Sequence, residues 1–320
     1  MNPPAGKDLP YLDEDAVRTL LTPADAAAAV AQALLDGLDP ETCPPRSRVT
    51  VPTGQLLLMP AATGAYAGVK IAGVVPANPG RGLPRITGGF LLLDGTTLLP
   101  LALLDGAALT ALRTPAVSAV ALSHLAVPDG GHLVMFGAGP QAYGHLEAVR
   151  AQRPLTRVTV VARRRERAEA LVAYAGARGL NARTGTARAV ADADLVVCCT
   201  TAREPLFDGR LVQTHATVIA VGSHEPDARE TDTALVSRSA VYVESRAAAL
   251  GEAGDLLVPQ AQGAIGPGHV AGTLADLVTG RAAADRTRPR LFKSVGMAWE
   301  DLAVAAALCT AAEGGGPPRR

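Results

Sequence analysis

The chain has 320 residues, 48% of them apolar, which is enough for two domains with cores of their own and too apolar for a disordered polypeptide. Its 30 Lys and Arg balance 30 Asp and Glu, so the charge points to neither a nucleic-acid nor an anionic-membrane partner, and no apolar run approaches the roughly 18 residues of a membrane span.

Residues 1–7, Met-Asn-Pro-Pro-Ala-Gly-Lys, lack the charged-then-apolar layout of a signal peptide, and a cytoplasmic protein is expected. Residues 12–38 read as helix, because Ala16, Leu20, Ala24, Ala27, Ala31 and Leu34 recur at helical spacing and Gly37 supplies a stop. Residues 46–104 read as strands split by Pro and Gly, at 55–59, 68–73 and 89–94, with a further apolar run at 98–104. An Ala-rich amphipathic helix over 106–125 leads to Pro128-Asp129-Gly130-Gly131, a natural domain boundary.

From residue 132 strands and helices alternate, with strands at 132–136, 157–161, 195–199, 217–221 and 240–243. That alternation predicts a doubly wound parallel sheet. It stops after residue 285, where a strand-like 290–294 and a final helix over 297–312 are expected to return to the first domain, and 314–320 reads as a frayed tail. The predicted fold class is therefore α/β: a Rossmann-type domain over 128–285, inserted in an α+β substrate domain formed by 1–127 and 286–320.

The most informative stretch is 132–142, His-Leu-Val-Met-Phe-Gly-Ala-Gly-Pro-Gln-Ala. A short apolar strand ends in glycines spaced as in a dinucleotide-binding turn. Gly137 breaks the strand, Gly139 removes a Cβ where a pyrophosphate approaches the backbone, and Ala142 lets the next helix pack closely. The first helical N–H groups then face the phosphates, so Gly137, Ala138, Gly139, Pro140 and Gln141 are the expected cofactor cradle. At the end of the next strand, where an NAD site places an acid for the ribose 2′-hydroxyl, stand Ala162, Arg163, Arg164 and Arg165. A guanidinium grips a 2′-phosphate that an acid would repel, so NADP(H) is favoured over NAD(H), with Arg163 and Arg164 as its contacts and Arg165 and Arg167 as a solvated helix start.

Cys43, Cys198, Cys199 and Cys309 lack metal-ligand spacing, as do the six histidines, and no bound metal is expected. The adjacent Cys198 and Cys199 read as small hydrophobes of a buried strand in a reducing compartment. There is neither a Gly-x-Ser-x-Gly elbow nor a Walker-type loop.

Five stretches together resemble the ornithine cyclodeaminase/mu-crystallin family along nearly the whole chain. They are Pro45-Arg46-Ser47; Met59-Pro60-Ala61 with Gly68-Val69-Lys70; Leu104-Asp105-Gly106 through Thr110-Ala111-Leu112-Arg113-Thr114; Gly137 to Ala142; and Leu291-Phe292-Lys293-Ser294-Val295-Gly296. The resemblance implies a homodimer built through the substrate domain and a nicotinamide cofactor in the cleft between domains. It also implies that Arg46, Lys70 and Arg113 surround a substrate carboxylate and amine, which suits two guanidiniums and an ammonium. Thr114, Thr200, Val221, Gly222 and Ser294 fall at family positions or strand ends near the cofactor, and Arg163 matches the arginine that meets the 2′-phosphate.

One departure bears on the reaction. Cyclodeaminases of this family carry an aspartate after the Val-Gly-Gly turn that follows the fifth strand, whereas this chain runs Val221-Gly222-Ser223-His224-Glu225-Pro226-Asp227, with His224 in that place. Arg85 also stands where the family commonly has a small hydroxyl residue, either to meet a second polar group of the substrate or to point to solvent. The resulting expectation is an NADPH-dependent reductase of small ketimines, such as Δ1-pyrroline-2-carboxylate to proline, with Lys70 or His224 as proton donor. Ornithine cyclodeamination with recycled NAD⁺, alanine-type dehydrogenation of an acyclic amino acid and non-catalytic NADPH binding are the alternatives.

Overall fold

A computed structural model describes residues 8–129 and 131–314, so the N-terminal segment, Gly130 of the expected boundary and the tail beyond Gly314 lie outside it. The described residues form two compact units, 8–116 with 297–314 and 117–296.

The first unit opens with β1 (Tyr11–Leu12), α1 (Glu14–Leu20) and α2 (Pro23–Leu35). Two helices stand where the periodicity predicts one. Pro23 disfavours helical backbone at Thr22, and Thr22 instead caps α2 through a reciprocal box with Asp25. Next come β2 (Ser47–Val51), β3 (Gly54–Ala62), β4 (Tyr66–Val74), β5 (Ile86–Asp94) and β6 (Pro100–Asp105). They pair in the order β1-β6-β5-β4-β3-β2, antiparallel except for β1 with β6. Side chains alternate across this sheet. One row, Met59 opposite Lys70 opposite Phe90 opposite Leu104, is buried throughout. The other face leaves Tyr11, Val49, Leu56, Ile71 and Leu103 exposed.

Helix α3 (Gly106–Leu125) has the predicted bounds and passes from the first unit to the second at 116/117. The second unit continues with β7 (His132–Phe136), α4 (Pro140–Gln152), β8 (Arg157–Val161), α5 (Arg165–Gly176), β9 (Ala182–Thr184), β10 (Leu195–Cys198), β11 (Thr217–Ala220), α6 (Thr233–Arg238), β12 (Ala240–Val243), α7 (Arg246–Glu252), α8 (Gly254–Ala261), β13 (Val270–Thr273), α9 (Leu274–Val278) and β14 (Arg290–Lys293). All eight strands are parallel, in the order β13-β12-β14-β11-β10-β7-β8-β9. Val134, Val196, Val218, Val241 and Leu291 fill its core.

The strand at 290–294 does not return to the first domain. It is β14, wedged between β11 and β12 and buried along its length, and the units divide at 116/117 and 296/297 instead of 127/128 and 285/286. A parallel strand covered on both faces carries no alternation, and that hides its place in the sheet. Only α10 (Ala298–Ala312) returns to the first unit, where it packs on β3, β4, β5 and α2. Its Trp299, Leu302 and Leu308 are buried, each stabilising by about 1.5–3 kcal/mol. Among the described residues no helix is long and apolar enough to cross a membrane.

Candidate functional site

In the first unit, Lys70 lies on the covered face of β4, 4% exposed. Thr110 and Arg113 sit one turn apart on α3, and Glu300 and Asp301 occupy the first turn of α10. Lys70 Nζ donates to Thr110 Oγ1 at 2.5 Å and to Asp301 Oδ1 at 3.0 Å. The Thr110 hydroxyl in turn donates to Gly106 O, so its oxygen is turned toward the ammonium. Arg113 donates from Nε to the same Asp301 Oδ1 at 3.2 Å and from Nη1 to Glu300 Oε2 at 2.6 Å.

Two buried cations thus meet two buried acids, which removes the cost of an isolated interior charge. The acids also sit at the positive end of the α10 dipole. Burial pushes the Lys70 ammonium below its ordinary range; the carboxylate of Asp301 opposes this and Arg113 adds to it.

The structure therefore brings Lys70 and Arg113 together. Arg46 directly precedes β2, whose Ser47 pairs with Leu58, one residue before the Met59–Lys70 pair. Thr114 is buried on α3, while Arg85 is exposed. Sequence reasoning missed Glu300 and Asp301. The available signal was two consecutive acids inside an otherwise apolar helix start, Met297-Ala298-Trp299-Glu300-Asp301-Leu302. Burial raises the Cys43 thiol to about 11, helped by Asp39 and Glu300, which disfavours its thiolate.

In the second unit the glycine turn joins β7 to α4. Gly137 has φ +110°, and a Cβ there would lie 2.8 Å from Cys199 O. Gly139 is the N-cap of α4 and makes no side-chain cap; a Cβ there would meet nothing within 4 Å. With Pro140 at the first helical position and Gln141 following, the backbone beside Gly139 is open to an incoming phosphate, and Ala138 is only half-buried. Behind this turn His145 is fully buried. Its Nδ1 faces Gln141 O at 2.8 Å and its Nε2 faces Ser118 Oγ at 2.9 Å. A carbonyl only accepts, so Nδ1 carries the proton and the neutral ring accepts from Ser118. Burial lowers its pKa to about 4.

Arg163 and Arg164 follow β8, both exposed, and among the described residues neither side chain makes a hydrogen bond or ion pair. Arg165 pairs with Glu169 across one helical turn. Beyond the ends of β10 and β11, Thr200 and Gly222 both donate to buried Glu230, and Val221 is half-buried. After β14, Ser294 Oγ and the backbone N–H groups of Val295 and Gly296 donate to Glu244, buried at the end of β12. Burial pushes the Glu230 carboxyl up, with Lys293 opposing. Neither glutamate stood out in the sequence, because each acts on backbone groups that carry no residue signature.

His224 is half-buried in the loop after β11. Asp227, the next aspartate in that loop, is exposed and paired with Arg203 at 2.5 Å. Among the described residues no three His, Cys, Asp or Glu side chains are grouped to hold a metal ion. A dinucleotide suits what is present, because an open glycine backbone at a helix start can receive a phosphate.

The sequence profile of the ornithine cyclodeaminase/mu-crystallin family matches residues 14–316. A Δ1-pyrroline-2-carboxylate reductase of Bacillus thuringiensis subsp. konkukian is 38% identical over 257 residues, covering 78% of this chain and 79% of its own. The solved structure of the Thermococcus litoralis Δ1-pyrroline-2-carboxylate reductase, in complex with NADH and L-proline, aligns with a TM-score of 0.91 at 31% identity, over 98% of this chain and 100% of that one. An archaeal alanine dehydrogenase dimer with bound NAD aligns with a TM-score of 0.90 at 28% identity, over 96% of each chain.

Proposed function

This chain belongs to the ornithine cyclodeaminase/mu-crystallin family, and within it we propose an NAD(P)-dependent reductase of small ketimines, taking Δ1-pyrroline-2-carboxylate to L-proline. The observation that carries this reading is the buried Lys70–Asp301–Arg113 cluster, in a chain 38% identical to a Δ1-pyrroline-2-carboxylate reductase.

When bound, the reduced nicotinamide supplies a hydride for the imine carbon. Gly137, Ala138, Gly139, Pro140 and Gln141 would hold its pyrophosphate, and Thr200, Val221, Gly222 and Ser294 would hold its nicotinamide half. Arg46 and Arg113 anchor the substrate carboxylate, which fixes the imine carbon for attack. Lys70 Nζ carries three N–H bonds. Thr110 and Asp301 take two, and the third donates a proton to the imine nitrogen. His224 is the second candidate donor, since imidazole titrates near neutral pH.

Arg163 and Arg164 favour NADPH over NADH, because exposed, unpaired guanidiniums meet a 2′-phosphate without first giving up another partner. The protein acts as a homodimer. The exposed Tyr11, Val49, Leu56, Ile71 and Leu103 give one sheet face the apolar character of an interface, and the alanine dehydrogenase relative is a dimer. Its four free cysteines suit a reducing cytoplasm.

The test is oxidation of NADPH and NADH against a panel of cyclic imino acids and of 2-oxo acids with amines, with ornithine deamination measured alongside. Turnover with Δ1-pyrroline-2-carboxylate is expected. Ammonia release from ornithine without net cofactor oxidation would instead make it a cyclodeaminase. The alanine dehydrogenase likeness favours one second reading, reductive amination of pyruvate, which the oxo-acid arm of the same panel detects.

A further inference from the structure

Glu230 is fully buried, and its carboxylate joins two strand ends of the second unit. Oε1 accepts from the N–H and the hydroxyl of Thr200, each at 2.7 Å, and Oε2 accepts from the Gly222 N–H at 2.7 Å. Thr200 lies two residues beyond β10 and Gly222 two residues beyond β11. A side chain on Gly222 would collide with Thr200 O and with Glu230 itself, so the two loops and the carboxylate are closely fitted.

Glu230 is held in turn. Its own N–H donates to Asp255 Oδ1 at 3.0 Å, an oxygen shared with the Thr231 N–H and hydroxyl. Asp255 Oδ2 lies 3.0 Å from Lys293 Nζ on β14, and that ammonium donates to Ser223 O at 2.7 Å. Three buried charged side chains thus connect the ends of β10, β11 and β14. Taking a carboxylate out of water is costly unless its hydrogen bonds are met, and here they are met by the backbone of the two loops. In a doubly wound sheet the ligand lies outside the carboxyl ends of the strands, where these loops are.

We propose that Glu230 is a positioning residue that presets the loops after β10 and β11 for the nicotinamide-ribose half of the cofactor, without touching the cofactor itself. The proposal rests on the dinucleotide reading of this unit and adds to it a residue that the sequence motif does not contain. Replacement by glutamine turns an acceptor oxygen into an NH2 group that faces a backbone N–H, so one loop must move away.

The experiment measures equilibrium binding of NADPH, NADH and the adenosine fragments 2′,5′-ADP and 5′-ADP to the full-length wild type, Glu230→Gln and Glu230→Asp. Fragment binding reports an intact glycine turn and a folded protein. Glu230→Gln is expected to raise the Kd of the whole cofactor by about tenfold or more while the fragment Kd stays within about twofold. Glu230→Asp, which keeps the charge but loses reach, is expected to show the same split to a smaller degree, and it decides the matter if the glutamine variant does not fold. Equal loss of fragment and whole cofactor in the folded variant, or no loss of either, overturns the clamp. A wild type that binds neither NADPH nor NADH overturns the cofactor reading, and the clamp with it.

Discussion

Lys70 and Asp301, 231 residues apart in the chain, meet at 3.0 Å in the interior of the first unit, on a carboxylate oxygen that also receives Arg113. The other oxygen of Asp301 is buried without a hydrogen-bond partner. Both cations therefore share one acceptor atom, with Thr110 as the second partner of Lys70 and Glu300 as that of Arg113. Asp301→Asn keeps the shape but removes the charge that both cations face. We expect it to cost about 3 kcal/mol of stability in urea unfolding and to lower kcat/KM for the imine by about 10–100-fold. Unchanged kinetics in the folded variant would show that the cluster serves the fold alone.

The same pair sets a pH dependence. Burial lowers the Lys70 ammonium from its ordinary range, Asp301 opposes the fall and Arg113 adds to it. Proton donation needs the charged form, so kcat/KM is expected to fall as pH rises through this lowered value, before the usual lysine range near 10.4 is reached. Asp301→Asn removes the opposing attraction and should move that limb to still lower pH. Lys70→Met should abolish it along with turnover, with NADPH binding retained. A limb that survives Lys70→Met with turnover and vanishes in His224→Ala would assign the donor to His224.

How much of this was legible in the sequence differs between the two units. The turn at 137–142 could be read as a strand-to-helix turn because a sharp break of that kind needs glycine at particular spacings. Helix α3 was legible to its bounds, since its Ala- and Leu-rich stretch runs from Gly106 to the break signalled by Pro128-Asp129-Gly130-Gly131 in the sequence. β14 was not, because a strand buried on both faces has no period to read. Glu300, Asp301, Glu230 and Glu244 were missed for another reason. In sequence they are ordinary surface-type acids, and only the folded chain shows that each is buried against partners tens to hundreds of residues away.

Cofactor preference is expected to follow Arg163 and Arg164. Neither guanidinium has a partner among the described residues, so truncation leaves no buried group unsatisfied and should spare stability. Removing both guanidiniums is expected to raise KM for NADPH by about tenfold or more and to leave KM for NADH within about twofold. Steady-state kinetics with both cofactors on Arg163→Ala, Arg164→Ala and the double variant check this. Equal change for both cofactors would place the arginines away from the 2′-phosphate.

His145 should make stability depend on pH. Its imidazole is locked neutral between Gln141 O and Ser118 Oγ, and burial lowers its pKa from the ordinary 6.5 to about 4. Above pH 6.5 the ring is neutral in folded and unfolded chains alike, and the full stability is present. Between 6.5 and about 4 the unfolded chain binds a proton that the folded one refuses, so stability falls as pH falls, by roughly 3 kcal/mol in total. Below that window both forms are protonated and the loss levels off. Carboxylates titrate in the same range, so the measurement is a difference: urea unfolding of wild type and His145→Gln in parallel from pH 7 to pH 4. The variant is expected to be less stable at pH 7, where it lacks the fitted ring, and to lose less on acidification. Parallel curves for the two proteins would mean that His145 takes up its proton in the folded state as readily as in the unfolded chain.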